Sequence, residues 1–343
     1  MRARAARAGA ARARTTTART RPAAVGTRPV VRHYLSVKDL SAEETLRLLG
    51  EATRLKRARA RGRIERRLAG RTLAMVFQKP SLRTRVSFEA GMTQLGGHAI
   101  YLGPDDIRLG ERESVEDVAL TLSRMADLVM ARVFSHEVLE QLARHAAVPV
   151  INALSDREHP CQALGDLLTM LEWKGRLKGL RLAYVGDGNN VVHSLLYGAA
   201  STGIHLTVAT PPDYAPLADV VEEAAAIGRG RGAAIRVVSD PAEACRGADV
   251  IYTDVWTSMG SEREAEERRR VFPPYQVNAA LIARARPDVM LLHCLPAHYG
   301  EEIDYATSRL PNSAIFDQAE NRLHAQKALM LRLAGPVAGP ARR

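Results

Sequence analysis

The run Ser81-Leu82-Arg83-Thr84-Arg85 places two hydroxyls and two guanidinium groups within five residues. It follows the apolar stretch Leu73-Ala74-Met75-Val76-Phe77 and precedes Phe88, Met92 and Leu95, spaced i, i+4, i+7. That pattern predicts strand, turn and helix, with Ser81 as the N-cap. Both arginines then lie in the first helical turn, where the helix dipole disfavours cations. Two cations there point to an anion between them. Unpaired N–H groups at a helix start, hydroxyls and guanidinium forks together describe a phosphate site.

Other polar clusters also follow apolar runs. Arg132 leaves the run Leu128-Val129-Met130-Ala131. His159-Pro160-Cys161-Gln162 opens a helical stretch, with Pro160 suited to its first turn. A histidine just outside a helix start can donate to an oxyanion or a carbonyl oxygen. Gln162 can give or accept beside it; the plainer reading is a cap and a helix-surface amide. Gly186-Asp187-Gly188-Asn189-Asn190 also sits between a strand and a helix. It fails as a dinucleotide fingerprint, because Val191 stands at the third glycine and no acid ends the next strand. Asn190 could instead bind the carboxylate or amine of an amino acid.

Asp254 ends another apolar run and is followed by Ser258-Met259-Gly260. An acid there pairs with a cationic amine, and the Ser-Met-Gly loop suits a lid. The charged stretch 262–270 reads as solvated. Cys294, in His293-Cys294-Leu295-Pro296, leaves a strand toward a cleft. No metal-ligand spacing surrounds it, and Cys161, Cys245 and Cys294 form no disulfide framework.

The elements that must hold these clusters alternate. Ser41-Ala42-Glu43-Glu44 is a capping box, opening a helix with Leu46, Leu49 and Leu55 on one face. Strands are expected at 98–102, 128–131 and 148–151, and helices at 114–125, 136–145 and 160–173. A polar boundary at 174–179 is followed by strands at 181–185, 205–209, 235–238, 250–253 and 289–293. Helices at 191–202 and 217–227 intervene, and a last helix spans 318–333. Two βα series predict an α/β protein of two domains, each a largely parallel sheet flanked by helices. In such sheets ligands bind at the carboxyl ends of strands, where these clusters fall.

The length of 343 residues agrees with two cores. Nine of the eleven net positive charges are arginines of residues 1–32, which hold no acid. The basic character therefore belongs to a tail. That tail reads as a disordered extension. A mitochondrial transit peptide is the alternative, being Arg-rich and free of acids. A nucleic-acid arm lacks side chains to read bases. No apolar run reaches the ~20 residues of a membrane span.

Together the motifs resemble the aspartate/ornithine transcarbamoylase family over residues 33–335, on the ornithine side. The family's Ser-Thr-Arg-Thr-Arg stands as Ser81-Leu82-Arg83-Thr84-Arg85, with Leu82 in place of threonine. Its His-Pro-x-Gln motif is matched at His159, Pro160 and Gln162, and its Asp-x-x-x-Ser-Met-Gly motif at Asp254, Ser258, Met259 and Gly260. Its His-Cys-Leu-Pro motif is residues 293–296. The resemblance implies an extension at 1–32, a carbamoyl-phosphate domain at 33–175, an ornithine domain at 176–315 and a C-terminal helix, 316–343, packing back on the first.

It implies carbamoyl transfer from carbamoyl phosphate to L-ornithine, giving citrulline and phosphate, in arginine biosynthesis. Carbamoyl phosphate would meet Ser81, Leu82, Arg83, Thr84, Arg85, Arg132, His159, Gln162, Cys294, Leu295 and Arg322. Arg108 of a neighbouring subunit would join them. Ornithine would meet Asn190, Asp254, Ser258 and Met259. Arg132, His159, Asp254 and Cys294 would be catalytic. The resemblance also implies no metal or organic cofactor, homotrimers or multiples of them, no nucleic-acid or membrane partner, and a cytoplasmic enzyme, or a mitochondrial one if residues 1–30 are a transit peptide. A transcarbamoylase for putrescine or an acylated ornithine is the rival, and a dehydrogenase or a nucleic-acid-binding protein lies further off.

Overall fold

Nine strands, all paired in parallel, divide into two sheets in the computed structural model, which describes residues 32–257 and 264–335. The first sheet holds β1 (Thr72–Phe77), β2 (His98–Leu102), β3 (Leu128–Arg132) and β4 (Val150–Leu154), in the order β2-β1-β3-β4. The second holds β5 (Arg181–Val185), β6 (His205–Ala209), β7 (Ile235–Val238), β8 (Val250–Thr253) and β9 (Met290–His293), in the order β7-β6-β5-β8-β9. Both orders reverse direction once, between β1 and β3 and between β5 and β8. Crevices at such reversals are where open α/β sheets bind ligands.

Near-continuous burial of β1, β3, β5, β8 and β9 explains why they appear as apolar runs rather than alternations. The helix Pro160–Lys174 leads from the first sheet to the second. The helix Ile315–Ala334 returns and packs along it and against Ala42–Ala60 and Leu82–Gln94. Gly165 makes that close approach possible, since a Cβ there would lie 3.0 Å from Arg322 Cγ. One apolar cluster runs from Leu73, Met75 and Phe77 through Leu164, Leu167 and Leu168 to Leu182 and Tyr184.

Three sequence expectations shift. In Ala42–Ala60 the buried stripe is Thr45, Leu48, Leu49, Ala52 and Leu55, while Leu46 is 49% exposed. Leu46 and Leu48 are two positions apart and cannot share a helix face. β4 begins at Val150 rather than 148, after Pro149, which has no N–H for the ladder. Arg32, expected in the extension, is held by Glu44 and by the Asp39 carbonyl. The rest of the proposed extension, residues 1–31, lies outside the described residues. Among the described residues no helix is long and apolar enough to cross a membrane.

Candidate functional site

A cavity of about 760 Å³ opens between the carboxyl ends of the two sheets. Ser81 caps the helix Leu82–Gln94, its hydroxyl accepting from Thr84 N. Ser81, Leu82 and Arg83 line the cavity, and the Leu82 side chain is 74% exposed. Thr84 is buried behind them, and its Oγ1 accepts from Arg322 Nη2 at 2.9 Å. Arg322 itself reaches the cavity from the terminal helix. Arg132 arrives from the end of β3, where the ladder with β4 slips register between Ala131 and Arg132. Such irregularities re-aim side chains beside sites.

Arg85 does not join them. Its guanidinium pairs with Glu89 and stacks 4.0 Å from the centre of the Tyr101 ring. Two residues along a helix turn it about 200° away from Arg83, so only one of the two first-turn arginines can face the cavity. Arg108 also lies apart, exposed at a left-handed backbone position (φ 48°) in the 102–110 loop.

The arginine side of the cavity has an uncommon charge balance. Among the described residues, no carboxylate forms an ion pair with Arg83, Arg132 or Arg322. Burial holds Arg132 down to about 9, with Arg322 and Arg83 pushing the same way. Arg83 and Arg322 are also lowered, by burial first. His159 is driven well below its ordinary value by burial and then by Arg322, Arg132 and Arg83. Its imidazole is therefore neutral near pH 7 and can donate one ring proton. The Nε atoms of Arg83, Arg132 and Arg322, Nδ1 of His159 and Oε1 of Gln162 are buried without a protein partner. An oxyanion carrying an amide-like NH₂ would satisfy donors and acceptor together.

The facing side is paired internally. Asp254 Oδ2 accepts from Asn189 Nδ2 at 2.8 Å, and Oδ1 from the Cys294 thiol at 2.9 Å and from Val255 N at 2.8 Å. Burial and then Asp254 push Cys294 well above its ordinary value, so it holds its proton. Asn190 donates to the Ser155 carbonyl and lines the cavity beside Asp254, Cys294 and Leu295. Leu295 adopts a positive φ of 58°. Ser258 and Met259 lie outside the described residues.

The expectation that no ligand set surrounds Cys294 needs correction. Ligand atoms of Asp254, His293 and Cys294 lie within 4.8 Å of one another. Both ring nitrogens of His293 are engaged, one by Leu295 N and the other by Glu302, each at 2.9 Å. Asp254 and Cys294 thus bond each other, while His293 is held by the backbone and by Glu302.

Sequence reasoning missed Asn189 and Arg268. Asn189 caps the helix Asn190–Thr202 and holds Asp254; its place in the 186–190 turn was the available signal. Arg268 lies in the stretch read as solvated, yet is buried in the helix Ala265–Val271. It pairs with Asp187 at 2.9 Å, donates to the Trp256 carbonyl and pairs with Glu264. It therefore clasps both flanks of the segment that carries Ser258 and Met259. Burial raises Asp187 to about 6 against the pull of Arg268.

Comparison with known proteins agrees with this division. Residues 32–172 match the family model of the aspartate/ornithine carbamoyltransferase carbamoyl-P binding domain, and residues 178–333 that of the Asp/Orn binding domain. An ornithine carbamoyltransferase of Anoxybacillus flavithermus is 53% identical over 302 residues, covering 88% of this chain and 96% of that one. One from Bacillus subtilis is 53% identical over 296 residues, covering 86% and 92%. A solved ornithine carbamoyltransferase from Pyrococcus furiosus superimposes with a TM-score of 0.85 at 51% identity, over 87% of this chain and 96% of its own. With both of its sheets and the crevice between them accounted for, the chain belongs to the aspartate/ornithine carbamoyltransferase family.

Proposed function

We propose that the chain transfers the carbamoyl group of carbamoyl phosphate to the δ-amine of L-ornithine, giving L-citrulline and phosphate. The observation that carries this is the facing, across one cavity, of three arginines that form no ion pair with any described carboxylate and the Asp254–Cys294 pair. The first half suits an acyl phosphate dianion and the second a cationic amino acid. Relatives at about 50% identity over most of their length are named ornithine carbamoyltransferase, so a different acceptor amine is not favoured.

Ser81, Arg83 and Arg322 hold the phosphate, with the backbone N–H groups of Leu82 and its neighbours. Thr84 acts through Arg322. Arg132 and neutral His159 polarise the carbamoyl oxygen and stabilise the tetrahedral intermediate. Gln162 Oε1 and the backbone at Leu295 receive the carbamoyl NH₂. Asn190 and Asp254 hold ornithine's α-groups, with Ser258 and Met259. The δ-amine must be neutral to attack, although such amines have a pKa of about 10. Cys294 and Asp254 orient it, and the departing phosphate takes its proton. The δ-nitrogen adds to the carbamoyl carbon, and the tetrahedral intermediate collapses by breaking the carbon–oxygen bond to phosphate.

The chain acts as a trimer or multiple of trimers, with Arg108 reaching a neighbour's phosphate site. We place it in arginine synthesis, since relatives from Pyrococcus furiosus and Campylobacter jejuni are named anabolic, and in the cytoplasm. Carbamoyl transfer to ornithine, putrescine, acetylornithine and aspartate, measured in parallel, tests the reading. Ornithine is the expected acceptor, and faster transfer to any of the others overturns it.

A further inference from the structure

Behind the cavity lies a carboxylate that substrate binding does not use. Asp166 is fully buried in the helix Pro160–Lys174, one turn after Gln162. Its Oδ1 accepts from Gln162 Nε2 at 2.8 Å and from Gln318 Nε2 at 2.7 Å. Its Oδ2 accepts from the Tyr252 hydroxyl at 3.2 Å. With two amide NH₂ groups on Oδ1, that oxygen is an acceptor whether or not Oδ2 carries a proton. Gln162 must therefore turn its NH₂ inward and its carbonyl oxygen outward. That oxygen is the buried acceptor without a protein partner.

We propose that Asp166 is a positioning residue for carbamoyl transfer, fixing the Gln162 amide so that its oxygen, and not its NH₂, faces the carbamoyl NH₂. The proposal rests on the assignment of Gln162 to the carbamoyl group. Without the carboxylate, the amide is free to rotate, and a donor then meets a donor. The same oxygen fixes Gln318, whose own carbonyl accepts from His293 N at 2.9 Å. His293 precedes Cys294, so one buried acceptor holds both the carbamoyl contact and the strand end that carries the thiol. Tyr252 adds β8, two residues before Asp254. Burial raises the Asp166 carboxyl to about 7, and the three donors work against that rise.

A double-mutant cycle on the full chain tests this. Asp166→Leu keeps the branched shape but removes the acceptor, and should raise the KM for carbamoyl phosphate about tenfold, the equivalent of one unsatisfied buried donor. The KM for ornithine should move less. Asp166→Asn keeps one acceptor oxygen toward the glutamines while Tyr252 accepts from its NH₂. It should stay within about threefold of the unmodified protein. In a Gln162→Leu background, Asp166→Leu should add less than about twofold to that KM, because the group it positions is gone.

If the two effects multiply in full, Asp166 acts elsewhere and the positioning role is wrong while the site stands. If Gln162→Leu alone leaves the KM for carbamoyl phosphate unchanged, the assignment of Gln162 fails and takes the proposal with it. Asp166→Ser, which admits a water in place of the carboxylate, runs the same cycle if the Leu variant does not fold.

Discussion

The two walls of the cavity solve opposite electrostatic problems. On the first, buried Arg132 and Arg322 and half-buried Arg83 gather around neutral His159, and among the described residues no carboxylate forms an ion pair with any of the three. On the second, both oxygens of Asp254 are already taken by Asn189, Cys294 and a backbone N–H. The first wall stores repulsion that an incoming dianion relieves. The second is satisfied by itself, and a cationic amino acid must compete with bonds already made. The contrast predicts an order of binding: carbamoyl phosphate first, ornithine onto the site it completes.

The contrast breaks most directly at Arg132. Arg132→Ala removes the cation beside the carbamoyl oxygen and should lower kcat by about 10²–10³, the range for losing one oxyanion donor. A kcat within tenfold of the unmodified value would move Arg132 out of the reaction. Arg83→Ala should instead weaken carbamoyl-phosphate binding, by about 1.5–3 kcal/mol for a charge-assisted contact. Calorimetric titration checks it, and unchanged affinity in a folded variant contradicts the phosphate assignment.

The same contrast predicts which ligand stabilises the free protein. Carbamoyl phosphate, or phosphate alone, should raise the melting temperature, by about 1.4 kcal/mol of stability at ten times Kd. Ornithine alone should give almost none. An equal shift from ornithine alone would mean the second wall is as ready as the first. A smaller effect is expected at Cys294. Its thiol keeps its proton and donates to Asp254, so it is no thiolate nucleophile. Cys294→Ser retains a donor and should cost about tenfold or less in rate. Intact-mass analysis of the unmodified protein during turnover should show no carbamoyl adduct.

The two walls were not equally legible in the sequence. The strand–turn–helix at Ser81 could be read because a buried parallel strand is a continuous apolar run and the helix start has a hydroxyl cap. The strands at 98–102, 181–185, 205–209, 235–238 and 250–253 fall where apolar runs meet polar or glycine turns. What stayed hidden depends on distant pairing. Arg268 looks solvated among charged neighbours, and only the fold brings Asp187 to it. Asp166 resembles an ordinary helix acid until Gln318, 152 positions away, and Tyr252 reach it. The outward turn of Arg85 follows from helix geometry alone and was available without the structure.

A last prediction asks whether the first wall is complete within one chain. Arg108 does not line the cavity of its own chain and sits in an exposed loop at a left-handed backbone position. A cation there serves the phosphate only if the loop meets another copy. At carbamoyl phosphate far below the Kd of either variant, Arg83→Ala and Arg108→Ala should then each be nearly inactive alone. Mixed under conditions of subunit exchange, random assembly gives roughly a quarter of the sites an intact Arg83 and an intact neighbouring Arg108. Activity should recover to that fraction, with exchange followed by differently tagged chains. If mixed assemblies form and no activity returns, the phosphate wall is built from one chain, and the repulsion among Arg83, Arg132 and Arg322 is all that carbamoyl phosphate has to relieve.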